Sequence, residues 1–214
     1  KQTRQAGAAS LNRLTFTLPE PLAAAVKASL AEWGAEGKVR KLWAGDASLW
    51  SGRDEAQWLG WLGITNDQLA HIERLTALRE AAKNAGFSHA LLLGMGGSSL
   101  GPEVIKTTFG TISGFPELYV LDSTDPAQVK AFENKVDLRN TLFIVSSKSG
   151  STLEPNVFKQ YFFDRITRLV GPKEAGRRFL AITDPGSKMQ QVAERDDFRR
   201  IFLGWPNIGG RYSV

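Results

Sequence analysis

The hydrophobic positions of this chain follow two different periods, and the change between them falls near residue 86. Before that point the apolar residues are spaced as on helices, with an Ala-rich stretch over residues 20–33 and a later stripe at every third position. After it, short apolar runs alternate with polar turns and helical patterns. The two periods predict a helical lead-in segment over residues 1–85 and an α/β domain over residues 86–214.

The lead-in segment carries two local predictions. The tryptophans and leucines of residues 58–62 suit a short, largely buried helix. Thr65 followed by Gln68 has the spacing of a capping box, so we expect a second helix to begin there and to end at Gly86. His71 lies at the edge of the apolar stripe of that helix, and we interpret it as a structural residue rather than a catalytic one.

Five short apolar runs follow residue 86, and they lack the polar alternation of a half-exposed strand. The runs cover residues 89–93, 118–121, 142–145, 179–182 and 200–203. Strands covered on both faces have this composition and are normally parallel. With helices between them, they predict an α/β fold, a doubly wound and mainly parallel five-stranded sheet flanked by helices. Ligands bind such sheets beyond the carboxyl ends of the strands, where the polar turns are residues 94–102, 146–152 and 183–187.

The amino-acid composition is that of a globular protein, and it argues against several kinds of functional site. The 214 residues include no cysteine and two histidines, so disulfides and thiol nucleophiles are excluded and a His-rich metal site is not expected. No apolar run is long enough to span a membrane and the N-terminus has no signal-peptide core, so we expect a cytoplasmic protein. The net charge of +5 comes from scattered basic residues, whose pattern predicts no nucleic-acid partner.

The first turn, residues 94–102, is rich in glycine and serine. Glycines after a buried strand let a ligand approach the backbone, and the helix expected from Pro102 offers free N–H groups to an anion. A dinucleotide-binding fingerprint needs a third glycine where this chain has Ser99, so a nicotinamide dehydrogenase is disfavoured. A purely structural tight turn remains an alternative for this segment.

The second turn, residues 146–152, has the strongest chemical pattern. Six hydroxyl or ammonium side chains lie within seven residues between a strand and a helix: Ser146, Ser147, Lys148, Ser149, Ser151 and Thr152. A phosphate group prefers many hydrogen-bond donors, a nearby cation and the positive end of a helix dipole, and this turn offers all three. The alternative is a Ser-rich loop in which Ser151 and Glu154 form a capping box for the next helix.

The last six residues place Arg211 on a glycine turn after a short apolar stretch. An arginine in such a position can bind an anion or stabilise a developing negative charge, and it can equally be a surface residue. The apolar pattern stops abruptly at Val214, so we expect the α/β domain to be cut short at its C-terminal end.

Three of these segments resemble motifs of the glucose-6-phosphate isomerase family, in its sugar-isomerase (SIS) domain. The motifs are Gly-Gly-Ser-x-Leu-Gly-Pro at residues 96–102, Ser-Lys-Ser-Gly-x-Thr-x-Glu at 147–154 and Gly-Gly-Arg-Tyr-Ser at 209–213, in the order of that family. The likeness is strong over residues 86–214. The Trp-rich lead-in segment is similar to the isomerase part of fused transaldolase and glucose-6-phosphate isomerase proteins.

The resemblance implies a reaction and a set of partners. Members of this family interconvert glucose 6-phosphate and fructose 6-phosphate through a cis-enediol(ate), with no metal and no organic cofactor. They are typically homodimers that share residues between subunits. The resemblance therefore implies a sugar phosphate as the ligand, with neither a nucleic acid nor a membrane as a partner.

The resemblance also implies roles for residues of the three motifs. The substrate-binding residues would be Gly97, Ser98, Ser147, Lys148, Ser149, Ser151 and Thr152. Of these, Ser147, Ser149 and Thr152 would hold the phosphate. Ser151 departs from the threonine usual in the family but keeps the hydroxyl. Arg211 would be catalytic and would stabilise the enediolate charge, in agreement with the direct reading of its position.

The glutamate that shuttles the proton in this family, the ring-opening histidine and a late lysine all follow the Arg-Tyr-Ser motif, beyond Val214. We therefore expect this chain to carry the phosphate-binding half of the site and, alone, to have little or no isomerase activity. An alternative from another class is a non-catalytic SIS-type module that binds phosphosugars for regulation. Such a module would use the same phosphate loop, residues 146–152, but would not need Arg211.

Overall fold

The structure is a computed structural model that describes residues 17–209. It divides into two compact units, of which the first ends at Arg53 and the second begins at Asp54. The change from helical to strand pattern at residue 86 falls inside the second unit, so the division of the chain at that residue remains our proposal. Within residues 17–209, no helix has the length and apolar character needed to cross a membrane.

The first unit is helical. It contains α1 (Glu20–Ala35), α2 (Lys38–Trp43) and a 3-10 turn at Ala47–Leu49. Helix α1 continues through Gly34 to Ala35, and the left-handed residue that follows it is Gly37, with φ 62°. Because glycine adopts this conformation without a Cβ clash, the chain can turn there from α1 into α2.

The second unit opens with two 3-10 helices, Glu55–Trp58 and Gly60–Leu62, where the sequence predicted one buried helix. The prediction of burial is wrong for Trp58, which is 42% exposed. The predicted helix is divided in two because the backbone of Leu59 forms an isolated antiparallel bridge with Ile208, a tertiary contact that takes Leu59 out of the helical path.

The helix predicted from Thr65 to Gly86 is present in two pieces, α3 (Ile64–Ala70) and α4 (Ile72–Asn84). No side chain caps the start of α3, so the capping box predicted at Thr65 is wrong. His71 lies at the break, with its Nδ1 2.7 Å from a backbone carbonyl oxygen one turn earlier, a structural contact. Gly86 takes the left-handed conformation (φ 71°) just after α4, where the pattern predicted the end of the helix.

Five parallel strands form the sheet of the second unit. They are β1 (His89–Gly94), β2 (Glu117–Leu121), β3 (Thr141–Ser146), β4 (Phe179–Thr183) and β5 (Arg200–Leu203). Their spatial order is β2-β1-β3-β4-β5, and every neighbouring pair is parallel. The chain leaves β1 in one direction for β2 and then returns past β1 to β3, so the strand order switches between β1 and β3. The predicted doubly wound sheet is confirmed.

Helices connect these strands. They are α5 (Gly97–Phe109), α6 (Pro126–Lys135), α7 (Leu153–Val170), α8 (Pro172–Ala175) and α9 (Lys188–Arg195), with 3-10 turns at Leu138–Asn140 and Gly176–Arg178. Helix α5 begins at Gly97 rather than at the predicted Pro102, so much of the glycine- and serine-rich segment lies in the helix itself. Helix α7 packs across β1 and β3, which brings its N-terminus to the switch in strand order.

The largest side chains of the core lie between the sheet and α7. Phe143 of β3 stacks on Phe179 of β4 with ring centroids 4.8 Å apart, and Phe162 of α7 packs against Phe143 at 5.3 Å. All three rings are completely buried. Burial of a side chain of this size stabilises the fold by roughly 1.5–3 kcal/mol, so the position of α7 on the sheet is strongly fixed.

A buried ion pair holds α7 to the segment before β5. Lys159 of α7 contacts Asp196, and the two side chains are only 9% and 12% exposed. Burial alone would raise the pKa of Asp196, but hydrogen bonds from Arg195 and Lys159 outweigh it and the pKa is lowered. Because the folded pKa lies below the unfolded one, the carboxylate stabilises the fold above about pH 4, and this contribution is lost as the pH falls further.

Candidate functional site

The candidate site lies at the switch point between β1 and β3. Gly94 and Ser146, the last residues of these strands, are partners in the parallel register, so the two following turns start side by side. Together with neighbouring segments they enclose a pocket of about 430 Å³. The lining residues are Trp58, Met95, Gly97, Ser98, Ser146, Ser147, Lys148, Ser149, Thr152, Pro155, Asp184 and Pro206.

The turn after β1 brings the N-terminus of α5 to the pocket. Gly96 precedes the helix with φ 58° and ψ −125°, a conformation that is essentially limited to glycine. Gly97 and Ser98 of the first helical turn line the pocket. Ser99 does not, since it is buried and its Oγ donates a 3.0 Å hydrogen bond to the carbonyl oxygen of Gly96. This turn therefore presents backbone, the Met95 side chain and a single hydroxyl to a ligand.

The turn after β3 is held against the end of β4 by backbone hydrogen bonds. The amide of Ser147 donates to Ile182 O at 3.0 Å, and the amide of Asp184 donates to Lys148 O at 2.9 Å. The hydroxyl of Thr183 donates to Ser147 O at 2.7 Å. These bonds fix the backbone of the turn, so the side chains that line the pocket start from a rigid base.

Ser147 carries the most informative atom of the site. Its Oγ is buried, and it has no hydrogen-bond partner among the described residues. A buried hydroxyl without a partner costs roughly 1–3 kcal/mol, so such groups are rare unless another molecule completes them. Because Ser147 lines the pocket, a ligand oxygen can supply the missing partner.

The cation of the turn is already paired. Lys148 Nζ lies 2.5 Å from Asp184 Oδ2, and both side chains are 23% exposed. The same ammonium group donates to Trp205 O at 3.3 Å. The pair contributes no net charge, so the remaining attraction for an anion comes from hydroxyl donors and from the helix N-termini at the pocket.

The end of the turn leads into α7. Thr152 is the residue before the helix, and no side chain caps it, so the capping box predicted for Ser151 and Glu154 is wrong. Ser151 is exposed and its Oγ lies 2.9 Å from Ser149 Oγ, whereas Ser149 and Thr152 line the pocket. The unsatisfied N–H groups of this 18-residue helix therefore start beside the pocket, where they favour a negative charge.

Most of the site residues named from the sequence lie together. Gly97, Ser98, Ser147, Lys148, Ser149 and Thr152 all line the pocket. Ser151 reaches it only through its contact with Ser149, and Arg211 lies outside the described residues. Within residues 17–209, no group of three or more histidine, aspartate or glutamate side chains is placed to hold a metal ion.

Sequence reasoning missed several lining residues, and two of them matter most. Asp184 follows β4 in one of the three polar turns predicted at the strand ends, so its position carried a signal. Trp58 lies far away in the chain, in the segment predicted to be a buried helix, and nothing in its local pattern indicated a pocket.

A protein-family model described as phosphoglucose isomerase matches residues 71–214, which include every residue named from the sequence as part of the site. The chain belongs to the phosphoglucose isomerase family. The match begins at His71, so the pocket residue Trp58 lies outside it.

Curated relatives of this family carry the same name. The chain is 32% identical to a glucose-6-phosphate isomerase of Chlamydia muridarum over 175 residues, which is 81% of this chain and 31% of the relative. It is 30% identical to a probable glucose-6-phosphate isomerase of Methanococcus maripaludis over 160 residues, which is 72% of this chain and 34% of the relative. The chain thus spans about a third of the length of these relatives.

Solved structures agree with the fold. A Thermus thermophilus structure described as a hypothetical protein aligns with a TM-score of 0.72 and 27% identity, over 87% of this chain and 43% of that one. The glucose-6-phosphate isomerase of Chlamydia trachomatis aligns with a TM-score of 0.58 and 30% identity, over 65% of this chain and 26% of that one. The five-stranded parallel sheet is therefore of the type found in this family.

Proposed function

We propose that this chain carries the phosphate-binding part of a site that interconverts glucose 6-phosphate and fructose 6-phosphate. The observation that carries the proposal is the buried, unpartnered Ser147 hydroxyl in a pocket lined by further hydroxyls beside the N-terminus of α7. A phosphate dianion satisfies such donors and is attracted by the helix dipole. Membership of the phosphoglucose isomerase family supports the choice of a sugar phosphate over other anions.

Each residue has a role in this proposal. Ser147, Ser149 and Thr152 donate hydrogen bonds to the phosphate oxygens. Lys148, whose charge is balanced by Asp184, contributes a loop contact, and Ser151 orients Ser149 through the hydroxyl contact between them. Gly97 and Ser98 let the other end of the sugar phosphate approach the start of α5.

The proposed reaction moves a proton within one molecule. A base takes the proton from C2 of the open-chain aldose, the C–H electron pair forms the C1–C2 double bond, and the carbonyl electron pair moves onto O1 to give an enediolate. The hydroxyl proton then passes from O2 to O1, and the base returns its proton to C1 to give the ketose. The negative charge on oxygen is greatest in the enediolate, so a fixed cation nearby lowers the barrier. We assign this role to Arg211, two residues beyond the last described residue.

The resemblance extends the proposal to the assembly and location of the protein. We propose that the full-length enzyme is a cytoplasmic homodimer without nucleic-acid or metal partners, in which this lead-in segment belongs to the isomerase part of a transaldolase fusion. Light scattering coupled to size-exclusion chromatography tests the dimer, since a monomeric mass at micromolar concentration would contradict it.

A calorimetric titration of the chain with fructose 6-phosphate tests the phosphate site, with inorganic phosphate and NAD as comparison ligands. We expect binding of fructose 6-phosphate that is lost in the double variant Ser149→Ala, Thr152→Ala. Binding that survives the double substitution would contradict the assignment of these hydroxyls. Binding of NAD alone would replace the isomerase proposal by a dinucleotide site.

A substitution of Arg211 tests whether this residue acts on the enediolate rather than on the bound substrate. An arginine that acts mainly on the enediolate contributes little to ground-state binding, so Arg211→Ala should change the affinity for fructose 6-phosphate by less than about threefold. A much larger loss of affinity, measured by the same titration, would mean that Arg211 binds the ground-state ligand and would contradict its assignment to the enediolate.

A further inference from the structure

A short segment near the start of the second unit forms one wall of the pocket. The backbone of Leu59 pairs with Ile208 as an antiparallel bridge, and the amide of Gly60 donates to Asn207 O at 3.1 Å. The approach is so close that a Cβ on Gly60 would lie 2.4 Å from the side-chain oxygen of Asn207. The segment is thus docked at a defined position next to the stretch of chain that follows β5.

Trp58 is the residue of this segment that reaches the pocket. Its Nε1 donates to Asp54 Oδ2 at 3.1 Å, and its ring lies against Gly209, where an added Cβ would be 3.1 Å from Cε3. These contacts orient the indole, yet 42% of the residue is exposed. An oriented tryptophan with this much open apolar surface in a pocket is well suited to contact a ligand.

The pocket is therefore lined by two chemically different sets of residues. Hydroxyl groups and the Lys148–Asp184 pair come from the ends of β3 and β4, whereas Trp58, Met95 and Pro206 supply apolar surface. A sugar phosphate has the same division, with a charged phosphate at one end and a carbon skeleton with C–H groups at the other. Inorganic phosphate has only the charged part.

We propose that Trp58 binds the carbon skeleton of the sugar phosphate and makes the pocket prefer phosphorylated sugars to inorganic phosphate. The inference rests on the proposed function, because it takes the phosphate to lie at the turn after β3. It adds a specificity-determining residue from a segment that lies before the family match. Asp54 and Gly209 act as positioning residues that hold the indole in place.

Calorimetric titration of Trp58→Leu with fructose 6-phosphate and with inorganic phosphate tests this role. We expect about a tenfold weaker affinity for fructose 6-phosphate, the effect of one lost aromatic contact, and a change of less than about twofold for inorganic phosphate. Trp58→Phe should keep most of the sugar affinity, since it keeps an aromatic face. Phe109→Leu is the matched control, because Phe109 is 74% exposed at the far end of α5.

The outcomes separate this inference from the proposed function. Unchanged affinity for fructose 6-phosphate in Trp58→Leu, or an equal loss for both ligands, would overturn the role of Trp58 and leave the phosphate loop in place. Failure of the unaltered chain to bind either ligand would overturn the proposed function and this inference with it. If Trp58→Leu does not fold, tryptophan fluorescence decides, because a change on addition of fructose 6-phosphate should disappear in Trp58→Phe.

Discussion

The turns after β1 and β3 start side by side and have similar compositions, but they are built differently. After β1 the chain enters α5 almost at once, and the hydroxyl of the buried Ser99 donates a hydrogen bond to the carbonyl oxygen of Gly96. After β3 the chain makes a loop before α7, and the buried Ser147 keeps its Oγ unpartnered at the pocket. The buried serine therefore completes the protein's own hydrogen bonds in the first turn, whereas the buried serine of the second turn is available to a ligand.

The comparison teaches that a hydroxyl becomes a binding group through what its neighbours leave unsatisfied. In the first turn the helix begins early, and its tight geometry brings a carbonyl oxygen within reach of Ser99. In the second turn, hydrogen bonds from backbone amides and from the Thr183 hydroxyl hold the main chain, and none of them involves the Ser147 hydroxyl. Three pairs of substitutions test this difference.

The largest expected effect is on stability, from the glycines of the two turns. Gly150 has φ 66°, and a Cβ there would lie 2.6 Å from the backbone nitrogen of Met189. Gly96 has φ 58° with no atom within 4 Å of the same position. Gly150→Ala should therefore lower the free energy of unfolding by about 3 kcal/mol or more, and Gly96→Ala by about 1–2 kcal/mol from backbone strain alone. Urea unfolding measures both, and equal losses would show that the turn after β3 yields to the added methyl group.

The next effect separates binding from stability. Ser147→Ala removes no hydrogen bond within the described residues and relieves the cost of a buried, unpartnered hydroxyl, so the stability of the free protein should rise by about 1–3 kcal/mol while fructose 6-phosphate affinity falls about tenfold or more. Ser99→Ala should do the reverse, with a loss of about 1 kcal/mol in stability and little change in affinity. Calorimetry and thermal unfolding of both variants provide the measurement. A loss of affinity confined to Ser99→Ala would reverse the roles of the two turns.

The smallest expected effect concerns the paired cation of the turn after β3. Asp184→Asn removes the carboxylate next to Lys148 and leaves a net positive charge, so phosphate should bind about threefold more tightly, with a steeper dependence on salt. Asp164→Asn, which breaks an exposed ion pair with Arg168 on α7, is the matched control. Weaker binding in Asp184→Asn would instead mean that the carboxylate must hold the ammonium group in position.

The sequence by itself determined the α/β fold and most of the candidate site. Short apolar runs without polar alternation require strands covered on both faces, and the helices between them leave a parallel sheet as the natural arrangement. The clustering of Ser147, Lys148, Ser149 and Thr152 was equally visible, because these residues are neighbours in the chain and follow a strand. A pattern of this kind can be recognised from consecutive residues of the sequence alone.

Only the tertiary structure decided which of these groups a ligand can use and what completes the pocket. Ser151 and Glu154 have the spacing of a capping box, yet no side chain caps α7, and the Ser151 hydroxyl instead lies 2.9 Å from Ser149 Oγ. The partner of Lys148 is Asp184, which comes from the next strand, and the apolar wall is Trp58, which precedes β1 by about 30 residues. Contacts between residues so far apart depend on how strands and helices pack, and a local pattern of hydrophobic and polar positions does not encode them.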